Sequence, residues 1–384
     1  MEVLEKFHDV VVNHHKYAQE LKEKTGRKVF GYLCNYFPDE ILYAADILPV
    51  RVVGGHEPTN ITESHVSNRT CVFARDMLAQ GLSGKYDYLD GAVLAFCCLH
   101  THLMFHSWRL HVPTPYKYWL YFPILVTSEP NRELIIENLK AFATSLEEWL
   151  GQPITNERLD EAIKVYNTNR RLLRKLYELR KTDSPPISGA ETFEVTLAGL
   201  FMDKKEHSKL LRQLLKELPT RNRQNGKGKR IMLVGCGQDD LEEIKIIESA
   251  GATVVTDDLC SGSRNIWTDI KPKEDRYAAI ANRMIERPPC VVKDVPGRRR
   301  VAHVLQLARD YRVDGVITLE RMYCEPQQWD NTTMVTALAR QGIPTFRLET
   351  DMVTPVGPFR TRVEAFLETL DSDMEIADSN GDEE

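Results

Sequence analysis

The stretch Asp90–Trp108, DGAVLAFCCLHTHLMFHSW, decides how the rest of the chain is read. Asp-Gly and a short apolar run predict a buried strand, which delivers a Cys-Cys pair followed by His100, His102 and His106. A second stretch, Asp314–Asp330, DGVITLERMYCEPQQWD, repeats the design: Asp-Gly, an apolar run, then Cys324. In open α/β sheets ligands bind in the crevice beyond the carboxyl ends of the strands, so cysteines at two such ends are placed for chemistry. Cys71, in SNRTCVFARDML, sits where a polar turn becomes a helical pattern. Thiols near helix starts feel partial positive charge and ionise readily, as iron and zinc both require.

Outward from these stretches the chain alternates strands and helices. KVFGYLC (Lys28–Cys34) reads as a strand, Pro38-Asp39-Glu40 opens a helix with proline and acids in its first turn, and PVRVVGG is a second strand, making one β-α-β unit. Residues 132–182 are helical by periodicity, with Leu134, Leu139, Phe142, Leu146 and Trp149 on one face, and TDSPPISGAE breaks the pattern. The linker PTRNRQNGKGKR marks a domain boundary. After it the design starts over: a strand at Ile231–Gly235, a helix from Asp239, a strand at Ala252–Thr256, and then helices and strands to Leu370. The expected fold is α/β, with two doubly wound, Rossmann- or flavodoxin-like domains whose parallel sheets face each other across a cleft, plus helical segments. The expected divisions are an N-terminal helix over 1–27, a first α/β domain over 28–130, a helical segment over 131–222, a second α/β domain over 223–370 and a disordered acidic tail over 371–384.

Size and charge narrow the function. A chain of 384 residues buries sizeable cores without disulfides, and a net charge of -6 gives no electrostatic reason to expect nucleic acid or an anionic membrane as partner. The opening MEVLEKFHDVVVNHHKYAQELKEKTGRK reads as an amphipathic helix, with Leu4, Phe7 and Val11 on one face, rather than as a signal peptide. No apolar run is long enough to span a bilayer. A cytoplasmic chain follows, in which eight cysteines are reduced thiols or metal ligands.

Each motif also has an ordinary reading. Cys71, Cys98 and Cys324 are far apart in sequence, no C-x-x-C pair is present, and buried inert cysteine is a common core residue. Cys34, Cys236, Cys260 and Cys290 read as strand-end or loop thiols. The histidines, or Cys97 with His102, can be drawn around zinc, against which stands a helix start with hydrogen-bonded imidazoles. Gly235-Cys236-Gly237 with Asp257 faintly resembles a dinucleotide fingerprint, which fails at Asp240, where an acid would repel a pyrophosphate. The run Arg298-Arg299-Arg300 reads as a solvated basic turn. With no G-x-x-x-x-G-K-[ST] loop, any linked ATP hydrolysis belongs to a partner.

Taken in order, PDEILYAADILPVRVVG, the Cys71 turn, the Asp90-Gly91 strand ending at Cys98 with Trp108 beyond, GATVVTDDLCSGSR, DGVITLERMYCEP, GIPTFRLETD and GPFRTRVEAFLETL resemble the 2-hydroxyacyl-CoA dehydratase and benzoyl-CoA reductase family over nearly all of 28–370. Within the family, the size and the Leu99-His100 that replaces the usual acid after the second cysteine are most like the C (gamma) subunit of ATP-dependent benzoyl-CoA reductase. Two departures stand out: the doublet Cys97-Cys98 leaves two thiols for one ligand position, of which Cys98 has the fitting distance to Trp108, and Asp46 replaces a common glycine.

The resemblance implies a 4Fe-4S cluster held between the two domains by Cys71, Cys98 and Cys324, with one iron open. It implies ring reduction of benzoyl-CoA to a cyclohexadiene-carbonyl-CoA in anaerobic aromatic catabolism, with reduced ferredoxin as donor. The partners it implies are a homologous iron-sulfur core subunit and activator subunits that hydrolyse the ATP, joined in a heterotetramer. His100 and His102 are the candidate proton donors to the ring. Two alternatives stay open: a subunit of a 2-hydroxyacyl-CoA dehydratase, and a non-catalytic electron-relay subunit with one cluster.

Overall fold

Two four-stranded parallel sheets organise the chain. In the computed structural model the described residues are 1–56, 58–221, 228–237, 239–294, 297–351 and 354–379, with 372–379 described by backbone alone. The opening helix is broken at Asn13 into α1 (Glu2–Val12) and α2 (His14–Thr25). Next come β1 (Lys28–Tyr32), α3 (Asp39–Ala44), capped by Pro38 with Asp39 and Glu40 in its first turn, and β2 (Ile47–Arg51). Asp46, in the turn between α3 and β2, has φ +60°, the left-handed conformation in which glycine carries no steric cost. Then follow α4 (Val72–Leu82), β3 (Gly91–Ala95), α5 (Leu99–His111) and β4 (Tyr116–Leu120).

The first sheet has the order β2-β1-β3-β4, with every pairing parallel. All five residues of β3 are buried, as a strand covered on both faces requires. The strand β4 goes beyond what the sequence pattern predicts. It lies at the sheet edge, only Tyr116 and Leu120 are buried, and YKYWL lacks the aliphatic run that marks an inner strand.

The helical segment comprises α6 (Glu129–Leu150), α7 (Asn156–Glu178), α8 (Gly189–Ala198), which begins with a capping box between Ser188 and Glu191, and α9 (Lys204–Glu217). The second sheet is built from β5 (Arg230–Gly235), α10 (Leu241–Ser249), β6 (Thr253–Asp258), α11 (Arg276–Glu286), α12 (Arg299–Asp310), β7 (Gly315–Arg321), α13 (Glu325–Ala339), β8 (Thr345–Thr350) and α14 (Val356–Ser379). Its order, β6-β5-β7-β8, repeats that of the first sheet. The middle of the expected linker, 222–227, and the end of the acidic tail, 380–384, lie outside the described residues.

Each sheet has its own hydrophobic core, and the cores exchange helices. Val3, Leu4, Phe7 and Val10 of α1 pack in the core of the second sheet, while Ala279, Ile280, Met284 and Ile285 of α11 pack in the core of the first. At about 1.5–3 kcal/mol for each fully buried large aliphatic side chain, these exchanged faces bind the lobes together. Among the described residues no helix is long and apolar enough to cross a membrane.

The basic run 298–300 is a solvated turn only at Arg298; Arg299 and Arg300 open α12. Arg300 is fully buried, donating to Asp258 at 2.6 Å and to Asp330, and Arg298 reaches Asp330 at 2.9 Å. Local composition cannot show that two acids from distant elements wait for these guanidinium groups.

Candidate metal centre

In both sheets the strand order reverses beside the first strand of the lobe, between β1 and β3 and between β5 and β7. Ligands bind beyond the carboxyl ends of strands at such switch points. Cys34 follows β1 by two residues, Cys97 and Cys98 follow β3, Cys236 follows β5 directly, Cys260 follows β6 by two residues and Cys324 follows β7 by three. These ends face one another across a shared cleft. All eight cysteines of the chain line it, and all are free.

The three thiols expected as ligands share a local design. Cys71 is the N-cap of α4, Cys98 of α5 and Cys324 of α13, so each sulfur sits at the positive end of a helix. The backbone places them: Val72 N–H donates to the Met322 carbonyl across the seam at 3.3 Å, and Cys71 N–H donates to His100 Nδ1 at 3.2 Å. Cys324 donates its thiol proton to Cys71, which lowers the proton affinity of Cys71 and raises that of Cys324. A hydrogen bond from Cys97, aided by Thr101, pulls the Cys98 thiol down to about 6 despite its burial. Thr101 Oγ1 lies 3.1 Å from Cys97 Sγ and 3.4 Å from Cys98 Sγ. Both members of the doublet therefore face the cleft; Cys98 caps the helix and Cys97 turns toward Cys34.

The histidines separate. His100 is buried and lines the cleft; its Nδ1 accepts from Cys71 N–H, which puts the ring proton on Nε2, 3.6 Å from Glu325. His102 lies outside, in an aromatic group with Phe96, His106 and Trp119, and burial lowers its proton affinity. Among the described residues no three His, Cys, Asp or Glu side chains are gathered for a single metal ion, so neither zinc arrangement forms.

The remaining motifs are structural or line the cleft. Asp240 caps α10, accepting from Glu242 N–H at 2.8 Å, and Asp257 holds the following loop through Ser263 N–H at 2.8 Å, with Tyr177 donating to it at 2.5 Å. Cys34, Cys236, Cys260 and Cys290 are strand-end and loop thiols as expected, but their convergence goes beyond that reading. The usable signal is positional, since three of the four follow a strand by no more than two residues. Arg51, Arg264 and Arg287, which no motif singles out, also stand in the wall. Arg264 donates to Cys260 Sγ at 3.0 Å and Cys236 Sγ at 3.7 Å, and with a proton shared from Cys236 it holds the Cys260 thiol well below its ordinary range. Among the described residues no Asp or Glu lines the cleft.

Comparison with known proteins agrees with this architecture. The chain is 28% identical over 365 residues to the (R)-phenyllactyl-CoA dehydratase beta subunit of Clostridium sporogenes, covering 95% of this chain and 97% of that one. It is 24% identical over 334 residues to the C-type subunit of benzoyl-CoA reductase from Thauera aromatica, covering 85% and 86%. With the beta subunit of (R)-2-hydroxyglutaryl-CoA dehydratase from Acidaminococcus fermentans it shares 24% over 356 residues, covering 90% and 93%. Residues 34–370 match the family described as 2-hydroxyglutaryl-CoA dehydratase, D-component, a span that holds both sheets from the end of β1 and every cysteine of the cleft. With residues 34–370 matched by the family's model, the chain belongs to that family of dehydratase and benzoyl-CoA reductase subunits.

Proposed function

We propose that the chain is the iron-sulfur core subunit of a complex that reduces an aromatic acyl-CoA by single electrons, a benzoyl-CoA reductase, with a 4Fe-4S cluster on Cys71, Cys98 and Cys324. The observation that carries this reading is that three helix N-termini, brought from both lobes, present thiols to one cleft that no carboxylate lines among the described residues. The thiolates of a cluster bind separate irons and need not meet at one point, in keeping with the absence of a single-ion group among the described residues. Such a cluster, when bound, supplies one-electron transfer at low potential with one iron free of protein thiolate.

The chain's own residues supply the setting. The helix ends and the Cys97 and Thr101 hydrogen bonds favour the thiolates, and Arg51, Arg264 and Arg287 bring positive charge to the wall of the same cleft. Buried His100 carries a proton on Nε2 at the wall of the cleft, which makes it a better candidate donor to a substrate than His102, which lies outside. The relatives are named as subunits, and a sister core subunit is the expected partner. ATP hydrolysis falls to separate activator subunits and electron supply to reduced ferredoxin.

The identity with the (R)-phenyllactyl-CoA and (R)-2-hydroxyglutaryl-CoA dehydratase beta subunits favours a second reading, removal of water from a 2-hydroxyacyl-CoA. One assay separates the two. The complex, purified anaerobically with the chains that accompany it, is given benzoyl-CoA or a 2-hydroxyacyl-CoA with reduced ferredoxin and ATP. ATP consumed in step with each electron and a dienoyl product supports the reductase. Catalytic ATP with an enoyl product supports the dehydratase. Anaerobic protein without iron or sulfide would overturn both.

A further inference from the structure

A second cavity adjoins the cysteine cleft and shares Asn35, Asn265 and Arg287 with it. Among the described residues no cysteine lines this cavity, so it stands apart from the thiols assigned to the cluster. Its charged walls come from four helices: Asp39 at the start of α3, Arg170 in α7, Lys204 at the start of α9, and Arg283 and Arg287 at the end of α11.

The charges of these groups do not balance. Arg170 is satisfied, since it pairs with buried Glu40 and donates to Asn167 Oδ1 at 3.0 Å. Lys204, Arg283 and Arg287 have no ion-pair partner among the described residues. Lys204 donates to the Gly199 carbonyl, Arg283 to the Thr268 carbonyl at 2.9 Å and the Asn265 carbonyl at 2.6 Å, and Arg287 to Asn265 Oδ1 at 2.8 Å. Every one of these acceptors is neutral. Arg283 is only 7% exposed and Arg287 2%, and Arg287 Nε is buried with no hydrogen-bond partner among the described residues. Asp39 is the one carboxylate lining the cavity among the described residues. Burial, with Glu40 beside it, pushes its carboxyl up against the pull of Lys204, Arg170 and Arg283, so it is a poor counter-ion for three cations.

Guanidinium groups stay protonated, and buried charges are as a rule paired, which leaves this cavity short of an anion. Two parallel N–H donors of a guanidinium match two oxygens of an oxoanion, a fit that a halide cannot use. At about 60 Å³ the cavity holds an anion of a few heavy atoms and is too small for a CoA ester.

We propose that this cavity binds one small oxoanion, of the size of phosphate or sulfate, through Lys204, Arg283 and Arg287. The site does not rest on the proposed function, because none of the thiols assigned to the cluster takes part in it. Its occupant and the contents of the cleft share one arginine, Arg287.

Phosphate, and separately sulfate, titrated into the full-length protein at fixed ionic strength with chloride as the balancing ion, tests the site. A saturable rise in unfolding temperature is expected, with one anion bound per chain by calorimetry. These salts also stabilise proteins generally, without saturation; a rise of that kind alone, or none, overturns the site. Lys204→Gln is expected to weaken oxoanion binding about tenfold, as loss of one charged hydrogen bond does. Unchanged affinity in that variant places the anion elsewhere on the protein and overturns the assignment. Selenate in place of sulfate locates the ion without any variant. Anomalous density between Lys204 and the two arginines is expected in soaked wild-type crystals, and a cavity without it at saturating selenate overturns the proposal even where Lys204→Gln fails to fold.

Discussion

Val72 N–H donates to the carbonyl of Met322 across the seam between the lobes, 3.3 Å away, so the first turn of α4 is tied to the loop that carries Cys324. Val72 is the first residue of its helix, where proline is tolerated because the N–H has no partner within the helix. Cys71 already has φ -42° and ψ 128°, extended values that a following proline accepts. Val72→Pro is therefore expected to keep α4 and remove this one bond. The expected result is a loss of about 0.5–1.5 kcal/mol in urea unfolding, with reduced iron content at unchanged helicity.

The Nδ1 of His100 accepts the buried N–H of Cys71. His100→Ala leaves that donor unpaired, at about 1–3 kcal/mol, whereas His100→Asn offers an oxygen in a similar place and is expected to recover most of the loss. Neither variant carries the Nε2 proton. If His100 donates to the substrate, both lose turnover while electron uptake driven by the activator persists; equal turnover in His100→Asn and wild type would remove the donor role.

Asp239 and Asp258 have opposite pH signs. Burial, with Asp76 nearby, raises Asp239 from 3.8 to about 6, although Arg321 opposes the shift. Its folded form binds the proton more tightly than the unfolded chain does, so its contribution is present below 3.8 and is lost as pH rises to about 6. Asp239→Asn keeps an acceptor for Gly54 N–H, now 2.6 Å from Asp239 Oδ2, and is expected to be more stable than wild type at neutral pH. The gain is on the order of 3 kcal/mol and vanishes below the ordinary carboxylate range; unfolding midpoints against pH measure it.

Burial alone would raise Asp258, but Arg264 and Arg300 hold it well below the ordinary range. Its contribution is present above 3.8 and is lost as pH falls below that value toward the folded pKa. Arg300→Met leaves Asp258 to Arg264 and Asp330 to Arg298, and the buried pairs lose their shared partner. A loss of about 3–5 kcal/mol is expected, together with a shallower acid limb in the stability profile.

Where the chemistry is local, the sequence is informative. The strand before Cys98, the helix after it, the Pro38 start of α3 and the repeated design at Asp314 are written in neighbouring residues, and the strands of both sheets except the edge strand β4 follow from such patterns. The meeting of Cys34, Cys260 and Cys290 is not readable there, because it depends on how two lobes face each other. The same holds for Arg300, whose acids come from β6 and α13. Asp46 shows the intermediate case: its departure from the family glycine is visible, but the positive φ that gives it meaning belongs to the fold.

The traded helices have a mechanical consequence. With α1 seated in the far core and α11 in the near one, neither lobe can swing away without dragging apolar surface into water. A protease cut within 219–230 is thus expected to leave both fragments in a single particle on gel filtration. Traffic into the cleft must then pass through shifts of side chains and loops at its rim, with the two halves acting as one clasped body.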